Sequence, residues 1–582
     1  MTLTVSNFSP TGNAAIDGLL AGVKWGTTSL TFNFPTSPSV YEAGYAEAQS
    51  PAFGPLNASM QGAVRFALSN YAAVSNLKFT ELSSGTADMP SAYTAAKPGT
   101  EEAGALAWAY FPSTDASGGD SWYNMSSGKD NINGTMGGND WATVLHELGH
   151  AVGLKHPHDV AGSFAVMPST FDYGDYTVMS YRSYAGGALS EFSNETWGYS
   201  QTLMELDIAA VQAMYGANYS YNSGDTVYKF SPTTGEIFVN GASMGTPGAN
   251  RIYATLWDGG GTDTYDLSAY KTDLKIDLNP GAFSTFSTDQ LAKLKADGSL
   301  LANGNIANAQ LYQGDARSLI ENVIGGSGND RIVGNKANNT VDGGAGTDTF
   351  VVAAARADVT ITTSGLRTIL TSTEGTDTLT NVEKILFSDG QTFDIVPGKA
   401  DPATSAYPAA AISQVISGSD PTAAQMDVRA KAAQGAYDYY ANVLKVARPE
   451  LGPYESLGVS FSSLAEFQAK YGASAGDDAA FIAKAYQGIF LRAATDGQQK
   501  HFADQISYFS GLYKGAGIAA DVASMQARGA VVGQMVGFVM TTPEERNAAG
   551  QQIDDKAIAY ANSLGLAGTS SASISAGLDF IS

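Results

Sequence analysis

Four of the chain's five histidines fall between positions 146 and 158, in the run His146-Glu147-Leu148-Gly149-His150-Ala151-Val152-Gly153-Leu154-Lys155-His156-Pro157-His158. Residues four apart share a helix face, so a helix here presents His146 and His150 to one ion. Glu147 projects beside them, within reach of a water on that ion. Gly153 permits the left-handed residue that ends such a helix and turns the chain back. His156 then supplies a third nitrogen, and Pro157 stops further helix. Three neutral imidazoles leave the fourth position of a Zn²⁺ ion open to water, the pattern of a catalytic rather than a structural site. A carboxylate such as Glu147 can take the proton of that water. His158 is expected to be a solvated loop residue outside the ligand set.

Composition narrows the field further. The chain has 582 residues and no cysteine, which excludes disulfides and thiolate zinc sites. At ~150 residues per domain this length suggests about four units. Acidic residues outnumber basic ones 56 to 32, and the net charge of −24 argues against nucleic acid or anionic membrane as a partner. A hydrophobic content of 44% is enough for packed cores. No long apolar run suggests a membrane-spanning helix, and Met1–Ser6 lack the basic start of an ordinary signal peptide.

Four textures follow one another along the chain. Residues 1–216 read as α/β, with helices over Ala63–Asn76, Trp141–Leu154 and Leu203–Tyr215 and a strand over Leu77–Leu82. Asn139-Asp140 is the cap signal for the second helix. Residues 217–396 are short β-type runs punctuated by Gly, Asp, Asn and Thr. Residues 397–425 are a Pro/Ala/Ser-rich linker. Residues 426–568 read as an all-α bundle, with helices over Ala430–Val446, Phe461–Tyr471, Ala479–Arg492, Gln498–Lys514, Asp521–Met540 and Glu544–Leu564. His501 is expected to be a solvated helix residue. Residues 569–582 are small and Ser-rich.

The β-rich stretch contains a repeat. Gly325-Gly326-Ser327-Gly328-Asn329-Asp330 and Gly343-Gly344-Ala345-Gly346-Thr347-Asp348 each open a copy of the nonapeptide G-G-x-G-x-D-x-U-x. Between them Gly334–Val341 is a degraded copy with Asn339 where Asp is expected. Six residues turn and three form a strand, which predicts a parallel β-roll. Glycine carbonyls together with Asp330 and Asp348 offer oxygen ligands suited to Ca²⁺. Turns 18 residues apart would share an ion, so one well-formed site is expected at 325–348. Glu374–Leu379 and Phe387–Gly390 look like closing strands, with no site assigned.

The histidine segment resembles the zinc signature of the metzincins. Met179, in Tyr176-Thr177-Val178-Met179-Ser180-Tyr181, resembles their Met-turn methionine, the floor of the zinc site. Tyr181, two residues on, resembles the tyrosine of the serralysin and astacin branches. Together with the glycine repeats this identifies a resemblance to the serralysins over roughly residues 12–396. Ile16–Leu20, Lys24-Trp25 and Thr28–Pro35 resemble that family's N-terminal entry.

The resemblance implies a secreted zinc endopeptidase acting on proteins. It implies that Glu147 is the general base, that Tyr181 ligates the resting zinc and later stabilises the oxyanion, and that one catalytic Zn²⁺ is joined by several structural Ca²⁺. Asp258 and Asp263, in Trp257-Asp258-Gly259-Gly260-Gly261-Thr262-Asp263, resemble a further serralysin calcium turn. The family leaves the cell through a type I secretion apparatus that reads the C-terminus, for which 569–582 is the candidate signal. Calcium would then fold the roll outside the cell. The helical region departs from typical serralysins and is similar in layout to a surface-layer-associated serralysin-like protease. A cell-surface or S-layer docking module and a bundle that merely lengthens the chain or aids export remain open. The rival reading is a calcium-dependent cell-surface or S-layer binding protein with a vestigial protease domain, against which the intact His-Glu-His-His-Tyr set weighs. A non-proteolytic zinc hydrolase is disfavoured by the Met-turn.

Overall fold

The structure is a computed structural model. It describes residues 3–95, 105–126, 132–190, 192–364, 367–395 and most of 458–541. The expected linker, the helices at 430–446 and 544–564, and the tail at 569–582 lie outside the described residues. The chain divides into two compact units, the first comprising Met1–Val359 with Thr371–Phe393, the second Thr360–Leu370 with Asp394–Ser582.

The first unit opens with a twisted sheet in the order Lys78–Glu81, Ser29–Asn33, Met89–Thr94, Ser121–Asn124, Ala107–Ala109. Its first four strands are parallel and the last is antiparallel. Helices Ala58–Val74 and Asn139–Val152 bury Met60, Val64, Leu68 and Tyr71 with Val144, Leu145 and Leu148 in one core, and the Tyr71 hydroxyl donates to Leu145 O at 2.9 Å. The earlier helix starts well before the expected Ala63 because Asn57 Oδ1 caps Met60 N at 2.9 Å. Polar Ser59 and Gln61 hid that turn from apolar periodicity.

The Asn139–Val152 helix has Gly138 at its N-cap without a side-chain bond. Asp140, expected to cap it, instead accepts Ile132 N (3.1 Å) and Asn133 N (3.0 Å) and ties down the incoming loop. The helix ends at Gly153, whose φ of 111° is left-handed. A Cβ there would collide with Val23 O. The returning chain pairs Leu154 with Leu20, and Lys155 N donates to Leu19 O at 2.7 Å. A further helix, Glu205–Tyr215, begins after Met204, whose N–H is accepted by Asp207 at 2.9 Å.

The second half of this unit is β-rich. One sheet places Val227–Phe230, Thr264–Asp266, Asn322–Ile324, Thr340–Asp342 and Gly375–Thr380 side by side in parallel. Another places Lys275–Asp277, Arg331–Val333, Thr349–Val352 and Lys384–Phe387 in parallel. Strands nine residues apart in the glycine repeats go alternately to the two sheets, so pairing joins residues 18 apart, as in Asn322↔Thr340 and Ile332↔Phe350. Val323, Ile332, Val341 and Phe350 are each fully buried. Strands Thr349–Val352 and Lys384–Phe387 of the second sheet bury two apolar residues each, Phe350 with Val352 and Ile385 with Phe387.

The second unit contains helices Ala465–Tyr471, Asp478–Phe490, Asp496–Gly515 and Ala520–Thr541. Phe467, Phe481, Tyr486, Phe509 and Val532 form its core. Arg528 is buried and pairs with Asp478. His501 is exposed on its helix. None of the described helices is long and apolar enough to cross a membrane.

Candidate metal centre

The helix, its left-handed stop and the returning strand bring three imidazoles to one point. The Nε2–Nε2 separations are 3.1 Å for His146–His150, 3.2 Å for His146–His156 and 3.0 Å for His150–His156. On the far side of each ring, Nδ1 meets an acceptor at 2.8 Å: Val178 O for His146, Leu154 O for His150 and Asp159 Oδ2 for His156. These acceptors assign the proton to Nδ1 and leave a bare lone pair on every Nε2. Three lone pairs this close have nothing to offer one another, and they fit a cation.

Burial disfavours the charged rings. It lowers His146 to about 4 and, with its ring neighbours and Lys155, His156 to about 2, and it holds His150 well below its ordinary value. All three are therefore neutral and able to ligate. The all-nitrogen set and the adjacent carboxylate suit zinc in a catalytic geometry.

Glu147 lies on the same helix, only 5% exposed. Its Oε2 is buried with no hydrogen-bond partner among the described residues, and burial pushes the carboxyl up to about 8. Met179 is fully buried beneath the helix. A Cβ on Gly149 would strike its Sδ, so this glycine lets the Met-turn approach. The Tyr181 ring lies over the triad, with centroids 4.4 Å from His156 and 5.6 Å from His146. Burial, Glu147 and Asp159 push its phenol up to about 12.

His158 departs from expectation. The turn closed by Asp159 N to His156 O stacks its ring on His156 at 5.2 Å and 3°, and it is half-buried rather than solvated.

Four supporting residues escaped the sequence reading. Asp159 orients His156, and a carboxylate three residues after the third histidine was a usable signal. Lys155 is buried, its Nζ donating to Gly18 O at 2.6 Å and Asp159 O at 2.7 Å, which pins the loop after His156. Asp207 accepts Thr177 Oγ1 (2.5 Å), Val178 N (2.8 Å) and Met204 N (2.9 Å) beneath the Met-turn. Asp172 binds Ser180 and Arg182. Asp207 lies 29 and 30 residues from the Met-turn groups it holds, and Asp172 lies 8 and 10 residues before Ser180 and Arg182 in an irregular loop, so no helix or strand period marks either.

In the β-rich half, the turns at 325–330 and 343–348 stack on each other. Asp330 accepts Gly326 N and Leu274 N, both at 2.9 Å, and donates its own N–H to Asp348 Oδ1 at 2.7 Å. A Cβ on Gly325, Gly344 or Gly346 would collide with carbonyl oxygens of the stacked turn. Gly326, Gly328 and Gly343 are as closely approached, by Tyr270, Thr272 and Asn381 carbonyls. Asp348 Oδ2 is buried without a hydrogen-bond partner among the described residues, and burial with the Asp330 and Glu383 charges raises this carboxyl to about 7.

Upstream, Asp258 accepts Tyr228 Oη at 2.7 Å and Gly260 N at 2.8 Å, and Asp263 accepts Thr226 N at 2.8 Å. Burial and the neighbouring Asp258 push Asp263 to about 8. In the degraded copy, Asn339 Nδ2 donates to Asn335 Oδ1 at 2.9 Å and Glu321 O at 3.0 Å, so an amide fills that turn with its own hydrogen bonds.

Fold and site together give an α/β domain with a three-histidine centre, followed by a β-rich domain. Residues 49–180 match the family model described as Matrixin, and residues 217–409 match Peptidase M10 serralysin C terminal. The chain is 33% identical over 324 residues to Metallopeptidase AprA of Pseudomonas marginalis, covering 54% of this chain and 62% of that protein. It is 32% identical over 330 residues to Metalloprotease AprA of Pseudomonas entomophila, covering 55% and 61%. With Serralysin of Photorhabdus laumondii it shares 33% over 305 residues, covering 50% and 56%. Over these matched stretches the chain is similar to serralysins, and it spans 56 to 62% of the length of these relatives.

Proposed function

We propose that the protein is a secreted, calcium-stabilised zinc endopeptidase that hydrolyses peptide bonds in proteins. The observation that carries this reading is the convergence of three bare Nε2 atoms within 3.2 Å, two of them on the helix whose Glu147 carries a carboxylate oxygen unpartnered among the described residues. Zinc bound by His146, His150 and His156 would acidify a water and polarise the substrate carbonyl. Glu147, whose Oε2 has no hydrogen-bond partner among the described residues, takes up the proton of the attacking water and passes it to the leaving amine. Tyr181, whose raised pKa keeps the phenol protonated when free, donates a hydrogen bond to the developing oxyanion. Met179 supports the three rings from below.

The finer features belong to the same proposal. Residues 1–216 form the protease domain and 217–396 a calcium roll, with Asp258, Asp263, Asp330, Asp348 and the turn glycines as ligands. Residues 426–568 form a helical domain suited to docking at the cell surface or S-layer, and 569–582 address a type I secretion apparatus. Retention is tested by cell fractionation. Loss of Asp427–Leu566 should release the protein into the medium, and unchanged distribution would refute docking.

Casein hydrolysis by wild type and by Glu147→Ala, with 1,10-phenanthroline as control, tests the activity. Hydrolysis that depends on both Glu147 and the chelatable metal supports the proposal. Equal hydrolysis by the two proteins would refute the mechanism.

A further inference from the structure

Tyr181 sits between two residues that are drawn to the same buried group. Asp172 is 5% exposed and divides its two oxygens between them, Oδ1 accepting Ser180 Oγ at 2.6 Å and Oδ2 accepting Arg182 Nε at 3.0 Å. The triangle is closed by Arg182 N, which donates to Ser180 Oγ at 3.0 Å. The Arg182 carbonyl accepts Gly174 N at 3.0 Å, and its guanidinium reaches Gly187 O. Side chains 180 and 182 thus turn to one side, towards Asp172. Tyr181, between them, faces the other way, over His146 and His156.

We propose that Asp172 is a positioning residue for Tyr181. The carboxylate ties together the side chains on both sides of the tyrosine, and Arg182 N closes the loop on Ser180, so the phenol moves by rotation about its own side-chain bonds and returns to one place over the metal site. Without Asp172, Ser180 loses its acceptor, the Arg182 charge loses its partner inside the loop, and the backbone at 181 gains freedom to rotate. A buried donor left without an acceptor relaxes towards another partner, and at this position relaxation carries the phenol away from the imidazoles. The arrangement links a carboxylate in the preceding loop to the two neighbours of a site residue through two ordinary hydrogen bonds. The inference rests on the proposed role of Tyr181, and the test separates the two.

The full-length protein is loaded with Cu²⁺ in place of zinc, and copper content is measured by elemental analysis. A phenolate beside Cu²⁺ gives a ligand-to-metal charge-transfer absorption that imidazoles do not. Wild type should show the band and Tyr181→Phe should lack it. Asp172→Ala should lose most of it while still holding one equivalent of copper. With zinc restored, Asp172→Ala should lower kcat about 10- to 100-fold with little change in KM. In the Tyr181→Phe background the same substitution should cost nothing more.

Ser180→Ala removes one arm of the triangle with minimal loss of packing. It should show a smaller change of the same kind, and it serves if Asp172→Ala fails to fold. An unchanged charge-transfer band in a folded Asp172 or Ser180 variant would overturn the proposal, as would kinetic losses that multiply with that of Tyr181→Phe. A Tyr181→Phe protein that keeps the band and full activity would instead overturn the role of Tyr181 on which the proposal stands.

Discussion

Val178 accepts the Nδ1–H of His146 through its carbonyl at 2.8 Å and gives its own N–H to Asp207 at 2.8 Å. One peptide unit therefore connects a metal-facing ring to a carboxylate that is fully buried at the start of a different helix. The Met-turn is held by this connection as much as by packing of Met179. Ring orientation at such centres depends on partners of this kind.

Replacing Asp207 by Ala leaves Val178 N, Thr177 Oγ1 and Met204 N without their acceptor inside the core. The expected loss is on the order of 3 kcal/mol, read from urea unfolding. Zinc affinity should fall about 10- to 100-fold in a competition titration. A variant of unchanged stability and affinity would show that the turn is held by packing alone.

Glu147→Gln should reduce casein hydrolysis by about 10²–10⁴-fold while zinc content stays that of wild type. Burial raises the Glu147 carboxyl to about 8, so its ionised form disfavours the metal-free fold. Metal-free Glu147→Gln should therefore melt no lower than metal-free wild type at pH 9. A lower melting temperature there would contradict the assigned cause of the shift.

Asp120 gives a pH dependence remote from the histidines. Burial is the main cause that raises its carboxyl from 3.8 to about 8, while the Tyr45 hydroxyl donates to it at 2.8 Å. Between about pH 4 and pH 8 the unfolded chain binds fewer protons here than the folded one, so this group's contribution falls as pH rises through that window. Asp120→Asn should gain stability relative to wild type from pH 5 to pH 9. A difference independent of pH would contradict it.

Calcium should order the β-rich half. Removal with EGTA is expected to lower its β content in circular dichroism and its melting temperature, because ion binding and folding are coupled. Asp348 must be ionised to bind and is raised to about 7 without the ion, so protons compete below that value. Calcium affinity should therefore rise from pH 6 to pH 8. A spectrum and melting curve indifferent to chelator would remove calcium from the account.

Much of the centre was legible because its ligands are close in sequence. Spacing placed His146 and His150 on one helix face, and Gly153 marked the reversal that delivers His156. Short-range chemistry misled where a side chain had a better partner elsewhere. Asp140 serves the loop before it, and His158 stacks on His156 where solvation was expected. The nine-residue period matched the alternation of strands between two sheets, since pairing joins residues 18 apart. Asp207 was invisible because its role exists only after the chain brings residues about 30 apart together, and Asp172 because the irregular loop between it and Arg182 has no period to read. Lys155 carried no signal of its own in the sequence, and its burial follows from the Gly18 carbonyl that accepts its ammonium.

The most direct test is zinc stoichiometry by elemental analysis of purified, exported protein alongside its His150→Ala variant. The account predicts one equivalent of zinc in wild type, removable by 1,10-phenanthroline, and almost none in His150→Ala protein that remains folded. Wild type without stoichiometric zinc after exposure to the ion, or a His150→Ala protein that retains it, would contradict the three-imidazole centre.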